Sequence, residues 1–530
     1  MKNNFKLLLA TILIVCTAIL SGCQKSDLLS NPNVVSESAT VPASLILNQI
    51  TANLLQEEEP IVSNVYRYNQ HIVSNYSYYF GSNAYNWSNT SDPYSRIKFC
   101  VKLEEQAQKQ FGNTTNVYFA LSKFFKAYSY IWLTQRVGDI PMTQAGDPNN
   151  LTPAYDAQKT VYKNCLALLD TASMLMSNLY SPATAGNKVD ATGDIYGLSF
   201  LQWHKVINTF KLRVLISLSK RAVDNADLNI PAQFAAIVTN PTKYPIMTSN
   251  GDNLAYKYTA ITLYPPNRTG NAPYNNCANI SQTFMNLLTQ NRDPRTFVLT
   301  TPALYYIKRG KQLSDFTAYI GQDNNKTQAQ MTNFNADSLY SCMSYNRYMS
   351  SASGANCEPY ILLGYPELCF NIAEAANRGW LPGVSGATWY NAGINASLSL
   401  YGITDGKSVT IGNYDGTNTN LGSVTLDVAT FLTNVAYAGD NAAGLTQILN
   451  QKFLAFWMNS GYESFYQWRR TGVPAFGQGG VGVGTPGNTI PLRWQYPLSE
   501  INYNSSNYQS AIQSQYGGVD DLNAKMWLLK

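Results

Sequence analysis

Aromatic rings and amides are concentrated in residues 75–92, NYSYYFGSNAYNWSNTSD. Flat rings offer apolar faces for stacking, while amides and guanidinium groups hydrogen-bond to hydroxyls. This combination is typical of a surface that holds a polar organic ligand in water. The predicted ligand-binding residues here are Tyr79, Tyr85, Asn86 and Trp87, together with Arg96 as a hydroxyl or carboxylate partner. The alternative is that these rings pack the loop against the rest of the fold.

A second candidate loop spans residues 264–274, YPPNRTGNAPY, in which prolines stiffen a segment that carries Tyr264, Arg268 and Tyr274. An ordinary structural turn is the alternative. Residues 405–420 are rich in Asp and Asn, but they lack the regular Asp-x-Asp-x-Asp-Gly pattern of a calcium loop, which favours a solvated loop. We therefore expect neither a metal nor a cofactor.

Two acidic residues invite comparison with a glycoside hydrolase. Glu367 and Glu374 are seven positions apart in an apolar helical pattern, so their backbones stand roughly 10.5 Å apart along a helix. Hydrolytic carboxyl pairs are about 5–5.5 or 6.5–9.5 Å apart. A structural role within the helices is the better interpretation.

Other catalytic arrangements are equally weak. His71 and His204 are the only histidines, and neither is accompanied by a Gly-x-Ser-x-Gly elbow or a phosphate-binding glycine loop. Glu463 is an isolated acid for which the sequence identifies no second catalytic carboxyl. The sequence does not predict an enzyme.

Composition and charge exclude other classes. Charged residues make up 13% of the chain, against about 25% in an average globular protein. The formal net charge of +5 is small and the basic residues are not clustered, so nucleic acid is not an expected partner.

The cysteines give no metal or redox motif, since no Cys-x-x-Cys pair occurs. Export would permit disulfides, and Cys342 with Cys357 is one conceivable pair among many. Cys165 lies on an apolar helix face and is expected to be a free thiol in the core.

The candidate residues must be positioned by regular secondary structure. The clearest periodicity of apolar residues in the sequence is that of α-helices. Apolar residues recur at three- and four-residue spacing in residues 117–132, 161–179 and 200–218, and more weakly in residues 45–55, 368–376 and 445–457. Residues 303–308 show a brief alternating pattern that predicts a short strand. Successive amphipathic helices separated by long irregular loops predict a mainly α fold of stacked helix pairs, similar to tetratricopeptide repeats.

The amino terminus predicts export. Lys2 and Lys6 precede an uncharged apolar run at residues 7–20, which is too short for a membrane-spanning helix but suits a signal peptide. Leu-Ser-Gly-Cys at residues 20–23 resembles the bacterial lipobox, so Cys23 is the predicted lipidation site. An ordinary secretory signal is the alternative. No later stretch is long and apolar enough to span a membrane, so lipid is the expected attachment.

The domain organisation follows from these segments. We predict a lipoprotein signal peptide at residues 1–22, a lipidated tether at residues 23–42, and one ligand-binding domain at residues 43–530.

Several short motifs, taken in order, resemble the SusD/RagB family of nutrient-binding outer-membrane lipoproteins of Bacteroidetes, and more closely its SusD-like branch. They are the lipobox, the early helix at 45–55, WLTQRVGDIP at 132–141, the helix that begins TVY at 160–162, NRDPR at 291–295, YPEL at 365–368 with AEA at 373–375, and RWQYP at 493–497 followed by Glu500 and Asn504.

The resemblance implies a single α-rich domain that is held by lipid to the outer membrane and faces the cell exterior. It implies that the protein captures a nutrient, with a glycan favoured over a peptide, and passes it to a SusC-like TonB-dependent barrel. A surface glycoside hydrolase remains the weaker alternative. The polar residues after Cys23 begin Gln-Lys-Ser rather than with acids, which departs from many surface-exported relatives.

Overall fold

Helices provide most of the regular structure in the computed structural model, which describes residues 39–57, 63–76, 81–88, 90–147, 149–190, 192–258, 278–348, 358–413, 420–478 and 489–530. In the first half these are α1 (Ala43–Glu57), α2 (Val65–Tyr68), α3 (Tyr94–Phe111), α4 (Val117–Val137), α5 (Gln158–Ser177), α6 (Phe200–Ser217) and α7 (Ile230–Val238).

The second half adds shorter helices around three longer ones. They are α8 (Gln282–Gln290), α9 (Arg295–Leu299), α10 (Leu304–Ile307), α11 (Gln328–Ala336), α12 (Tyr345–Tyr348), α13 (Tyr365–Asn377), α14 (Gly386–Leu400), α15 (Val428–Asn434), α16 (Ala442–Ala455), α17 (Glu463–Thr471), α18 (Leu498–Tyr503) and α19 (Ser505–Tyr516). The three longer ones are α13, α14 and α16.

The long helices pack as successive neighbours, as the apolar periodicity predicts. Helix α3 packs on α4, α4 on α5 and α5 on α6, while α13 packs on both α14 and α16. The starts of these helices are encoded locally: the Asn116 side chain accepts a bond from Phe119 N at 2.9 Å, and Ser199 and Gln202 form a capping box before α6. The prediction of a mainly α fold built from helix pairs is confirmed.

Strands are few and short in the described ranges. Strand β1 (Ile72–Ser74) pairs antiparallel with β3 (Ala278–Ile280), β2 (Leu254–Tyr256) with β4 (Tyr360–Leu363), and β5 (Ser408–Gly412) with β6 (Asn420–Thr425). In the first pair Ile72 lies opposite Ile280 and Ser74 opposite Ala278.

One prediction of local structure needs correction. The alternating segment 303–308 is wrong as a strand, because residues 304–307 form α10. Helix α3 begins at Tyr94, so Arg96, which follows the loop at residues 75–92, lies within a regular helix.

The two acids compared above with hydrolytic carboxylates join helices instead. Arg213 donates to both oxygens of Glu367 at 2.6 and 2.5 Å, and Arg470 binds both oxygens of Glu374. Both carboxylates are buried. Despite burial, the neighbouring guanidinium groups hold the pKa of Glu374 at about 2.

Residues 43–530 form one compact unit. The predicted signal peptide and Cys23 lie outside the described residues, as does Cys357, so lipidation and the Cys342–Cys357 pairing stay predictions. Cys165 is an unpaired thiol with no exposed surface, as predicted. In the part of the chain that the structure describes, no helix has the length and apolarity needed to cross a bilayer.

Candidate functional site

The two loops that the sequence singles out attach to neighbouring strands. The first leaves β1 after Ser74, and the second lies in the segment that leads into β3 at Ala278. Ser74 lies opposite Ala278 at one end of this small sheet. The structure therefore pairs two strands that are distant in sequence, one just before the first loop and one after the segment that contains the second.

A cluster of side-chain amides fixes this end of the sheet. We call Asn75, Asn83, Asn279 and Asn335 the amide cluster. Asn75 Nδ2 donates to Asn279 Oδ1 at 2.8 Å, and Asn279 Nδ2 donates to Asn335 Oδ1 at 3.3 Å. Asn83 bonds to both backbone groups of Ser74, at 2.8 and 2.9 Å. Three of these amides are buried, so the cluster sets the position of the loops and does not itself offer a surface to a ligand.

Half-buried aromatic side chains lie beside the amide cluster. We call Tyr305, Tyr306, Phe334 and Tyr340 the aromatic patch. Phe334 lies on α11, the same helix as Asn335, and its ring is 5.8 Å from that of Tyr340. The rings of Tyr305 and Tyr306 are 5.2 Å apart in an edge-to-face arrangement. These rings keep part of their surface in solvent, which stacking on a ligand requires.

Backbone contacts and a cation hold the patch together. Tyr305 N donates to Ser338 O at 3.1 Å, which ties α10 to the turn before Tyr340. The Arg309 guanidinium lies 3.4 Å above the ring of Tyr305 and donates to the Tyr305 carbonyl at 3.1 Å. One face of Tyr305 is therefore covered by the guanidinium of Arg309, an exposed residue.

The pKa of Tyr340 is raised, first by partial burial and then by the nearby Asp323 carboxylate and Tyr306. Tyr340 consequently keeps its hydroxyl proton at neutral pH and can donate it. The patch thus combines apolar ring faces with hydroxyl and guanidinium donors.

The predicted residues Tyr85 and Trp87 belong to a different, buried cluster. Trp87 is 3% exposed and stacks on Trp494 with ring centroids 3.7 Å apart. Tyr85 is also buried, 5.2 Å from Trp87, and its hydroxyl donates to Tyr68 O at 2.8 Å. Phe465 completes this tryptophan cluster at 4.8 Å from Trp87. The cluster packs the loop against the helices, which is the alternative stated for these rings.

The remaining predicted residues are spread apart. Asn86 is exposed next to the tryptophan cluster, whereas Arg96 is buried and donates from Nε to Ser129 Oγ at 2.7 Å. This contact favours a structural role for Arg96. Outside the described residues lie Tyr79, Tyr264, Arg268 and Tyr274. For every residue that the sequence analysis names as ligand-binding, contact with a ligand stays a prediction.

Both histidines make hydrogen bonds inside the fold and are not arranged as catalytic bases. His71 Nε2 lies 3.1 Å from Ser464 Oγ, and burial lowers the pKa of His71 to about 3. His204 Nε2 lies 2.9 Å from Ser173 Oγ, but Ser173 donates its own proton to Asn208 Oδ1 at 2.7 Å. Ser173 therefore accepts from His204, which is the reverse of what an activated nucleophile requires.

Metal binding finds no support in the described ranges, which contain no group of three or more His, Cys, Asp or Glu side chains placed to hold an ion. Asp405 instead accepts from the backbone N of Val428 at 2.8 Å and of Ala429 at 3.2 Å, at the start of α15. Its carboxylate thus caps a helix. The expectation of a solvated loop at residues 405–420 needs correction, because Ser408–Gly412 forms β5 and Asn420 begins β6.

Comparison with known protein families identifies one family that matches most of the chain. The SusD-like family model, described as starch-binding and associating with the outer membrane, matches residues 32–497. No curated protein matches the chain at a significant level.

Solved structures agree in fold over nearly the entire chain. A SusD homologue from Bacteroides fragilis NCTC 9343 is 28% identical with a TM-score of 0.76, covering 92% of this chain and 100% of the homologue. Another from the same strain is 29% identical with a TM-score of 0.72, covering 92% and 99%. A chitin-binding SusD homologue from Flavobacterium johnsoniae, 19% identical with a TM-score of 0.64 and coverage of 92% and 98%, shares the fold.

Because the matched model spans residues 32–497 and the fold agrees across the same chain, this protein belongs to the SusD-like family of nutrient-binding proteins associated with the outer membrane.

Proposed function

We propose that this protein captures a glycan at the cell surface and delivers it to a SusC-like TonB-dependent transporter in the outer membrane. The observation that carries the proposal is the aromatic patch beside the paired loop bases. Half-exposed rings supply stacking faces, and Arg309 with the Tyr340 hydroxyl supplies hydrogen bonds to sugar hydroxyls.

Family membership supports a glycan over a peptide as the cargo. The family description names starch, and one structurally similar protein is chitin-binding. Exposed ring faces with a hydroxyl and a guanidinium donor suit sugar hydroxyls directly. A peptide remains the second candidate, since tyrosine and amide groups also recognise peptide bonds.

Binding should be measured on purified mature protein with a panel of starch-derived and chitin-derived oligosaccharides beside a pool of tryptic peptides. Calorimetry is expected to show binding to at least one glycan class. Binding to peptides alone would contradict a glycan cargo. Release of new reducing ends during incubation would contradict a purely binding role and favour a hydrolase.

The proposal places the protein on the cell exterior, anchored by lipid on Cys23. An acylated amino terminus replaces a membrane-spanning helix. Mass spectrometry of the membrane-extracted protein is expected to show acyl chains on Cys23, and Cys23→Ser should release the protein from membranes. Co-purification of the intact protein with a barrel transporter would support delivery. An extract containing the acylated protein without any barrel would contradict it.

A further inference from the structure

The interface of α4, α6, α16 and α17 holds more positive than negative charge. Its cationic side chains are Arg136, Arg213, Lys452, Arg469 and Arg470, all of them buried. The carboxylates among them are those of Glu367 and Glu374, which are buried, and of Glu463, which is half-buried. Positive charges thus exceed negative ones in a region from which water is mostly excluded.

Two of the cations have carboxylate partners that neutralise them. Arg213 pairs with Glu367 and Arg470 with Glu374. Lys452 Nζ instead donates to Asn371 Oδ1 at 2.5 Å, and Arg469 donates to the carbonyls of Leu492 and Gln135 at 2.9 and 2.5 Å. Over the described ranges, no carboxylate lies within ion-pair distance of Lys452 or Arg469.

An uncompensated buried charge is unfavourable, because desolvation costs several kcal/mol per ion. Burial lowers the pKa of both Lys452 and Arg469. The carboxylates of Glu374, Glu367 and Glu463 oppose this shift for Lys452, and that of Glu463 opposes it for Arg469. Carbonyl and amide dipoles offset a further part of the cost, but the five cations still outnumber the three carboxylates. A small anion placed between the two cations would reduce this excess.

A chamber of about 20 Å³ lies at this point. Lys452, Arg469, Arg470 and Arg213 line it, against a single carboxylate, that of Glu463. A space of roughly 10–15 Å³ or more suffices for one water-sized particle. We propose that this chamber binds one chloride ion, which joins α16 to α17 through Lys452 and Arg469.

Water is the competing occupant. Gln467 also lines the chamber and uses its amide hydrogens on Leu449 O and Val473 O at 2.8 and 3.1 Å, so its Oε1 is an acceptor without a donor in the described part of the protein. That oxygen would suit a water molecule. The test must therefore distinguish an anion from water.

Anomalous diffraction from crystals grown in sodium bromide makes this distinction, because bromide replaces chloride and water gives no signal. An anomalous peak in the chamber near Lys452 and Arg469 is the expected result. Density without an anomalous peak would show water and overturn the proposal.

Thermal unfolding supplies a second readout. The midpoint of thermal unfolding should be about 2–3 °C higher in chloride than in gluconate of equal ionic strength, when the chloride concentration is about a hundred times the dissociation constant of the site. Lys452→Met should abolish this difference and the bromide peak.

Lys211→Met is the matched control, since Lys211 is equally buried but pairs with Asp170 at 2.5 Å. This variant should keep the difference in midpoint and the bromide peak. Equal midpoints in the two salts for the wild type, or a bromide peak that persists in Lys452→Met, would refute the site.

Discussion

Replacing Trp87 with alanine separates the two roles considered for the residue. The indole is 3% exposed, stacks on Trp494 at 3.7 Å, and meets Phe465 and Tyr85 edge-on. Removing a buried tryptophan typically costs about 3–5 kcal/mol, which includes the cavity that remains. We expect Trp87→Ala to destabilise the fold by an amount in this range.

The expected change in unfolding temperature follows from the size of the domain. With an unfolding entropy of about 2.1 cal/mol/K per residue, about 490 residues give roughly 1 kcal/mol/K, so the midpoint should fall by about 3–5 °C. Circular dichroism during heating measures this directly. Trp87→Phe should recover about half of the loss, because a ring still fills the stack on Trp494.

Tyr503→Ala is the control, since Tyr503 is 79% exposed and its truncation should change stability by no more than about 0.5 kcal/mol. Glycan binding of Trp87→Ala is measured well below its unfolding midpoint. An unchanged midpoint with lost binding would refute the structural role and show that Trp87 is a stacking platform for ligand.

Three further predictions concern buried charge and pH. Glu374→Gln should destabilise the protein by about 3–5 kcal/mol in urea unfolding, because Arg470 is left buried without its partner; a loss below about 1 kcal/mol would contradict this. Lowering the pH from 7 to 5 should reduce stability, because His71 and His204, with pKa values of about 3 and 4, stay neutral in the fold but take up protons near pH 6.5 in the unfolded chain. A flat stability profile over that interval would contradict this. Burial raises the pKa of Asp139 to about 6, so the folded protein binds this proton more tightly than the unfolded chain does and gains stability as the pH falls from 6 to 4. Asp139→Asn removes this gain, so the free energy of unfolding of the variant should fall more steeply with acidification than that of the wild type. Identical slopes for the two proteins would contradict this.

The helical framework could be predicted because burial repeats along the chain. Apolar residues at three- and four-residue spacing marked α4, α5 and α6, and the structure places those faces in the core. Helix α3 was missed although its buried residues have the same spacing. Its exposed apolar residues obscure the contrast between the two faces; they are Phe99, Val101 and Phe111.

The candidate site was harder to predict because partners come from distant parts of the chain. The chemistry of residues 75–92 was recognisable, but nothing near Trp87 in sequence shows that Trp494 covers its face. The pairing of β1 with β3, strands about 200 residues apart in the chain, likewise has no signal in the local sequence. Local composition therefore identified the loops without showing which of their rings are buried.

The aromatic patch was missed for a different reason. Tyr305 and Tyr306 lie in an alternating pattern that predicted a strand, in which neighbouring rings would point to opposite faces. In α10 they are instead 5.2 Å apart, with Arg309 one turn later over Tyr305. Adjacent tyrosines followed four residues after the first by an arginine are the sequence signal of this arrangement on a helical turn.

The central claim is that the aromatic patch binds a glycan, and the affinity of Tyr306→Ala for the glycan selected by the wild type tests it most directly. By analogy with base–aromatic stacking, loss of one ring should weaken binding by about 1–3 kcal/mol, or roughly 5- to 150-fold, without a change in unfolding midpoint. Tyr503→Ala should bind like the wild type. Equal affinities for Tyr306→Ala and the wild type would contradict the assignment of the site.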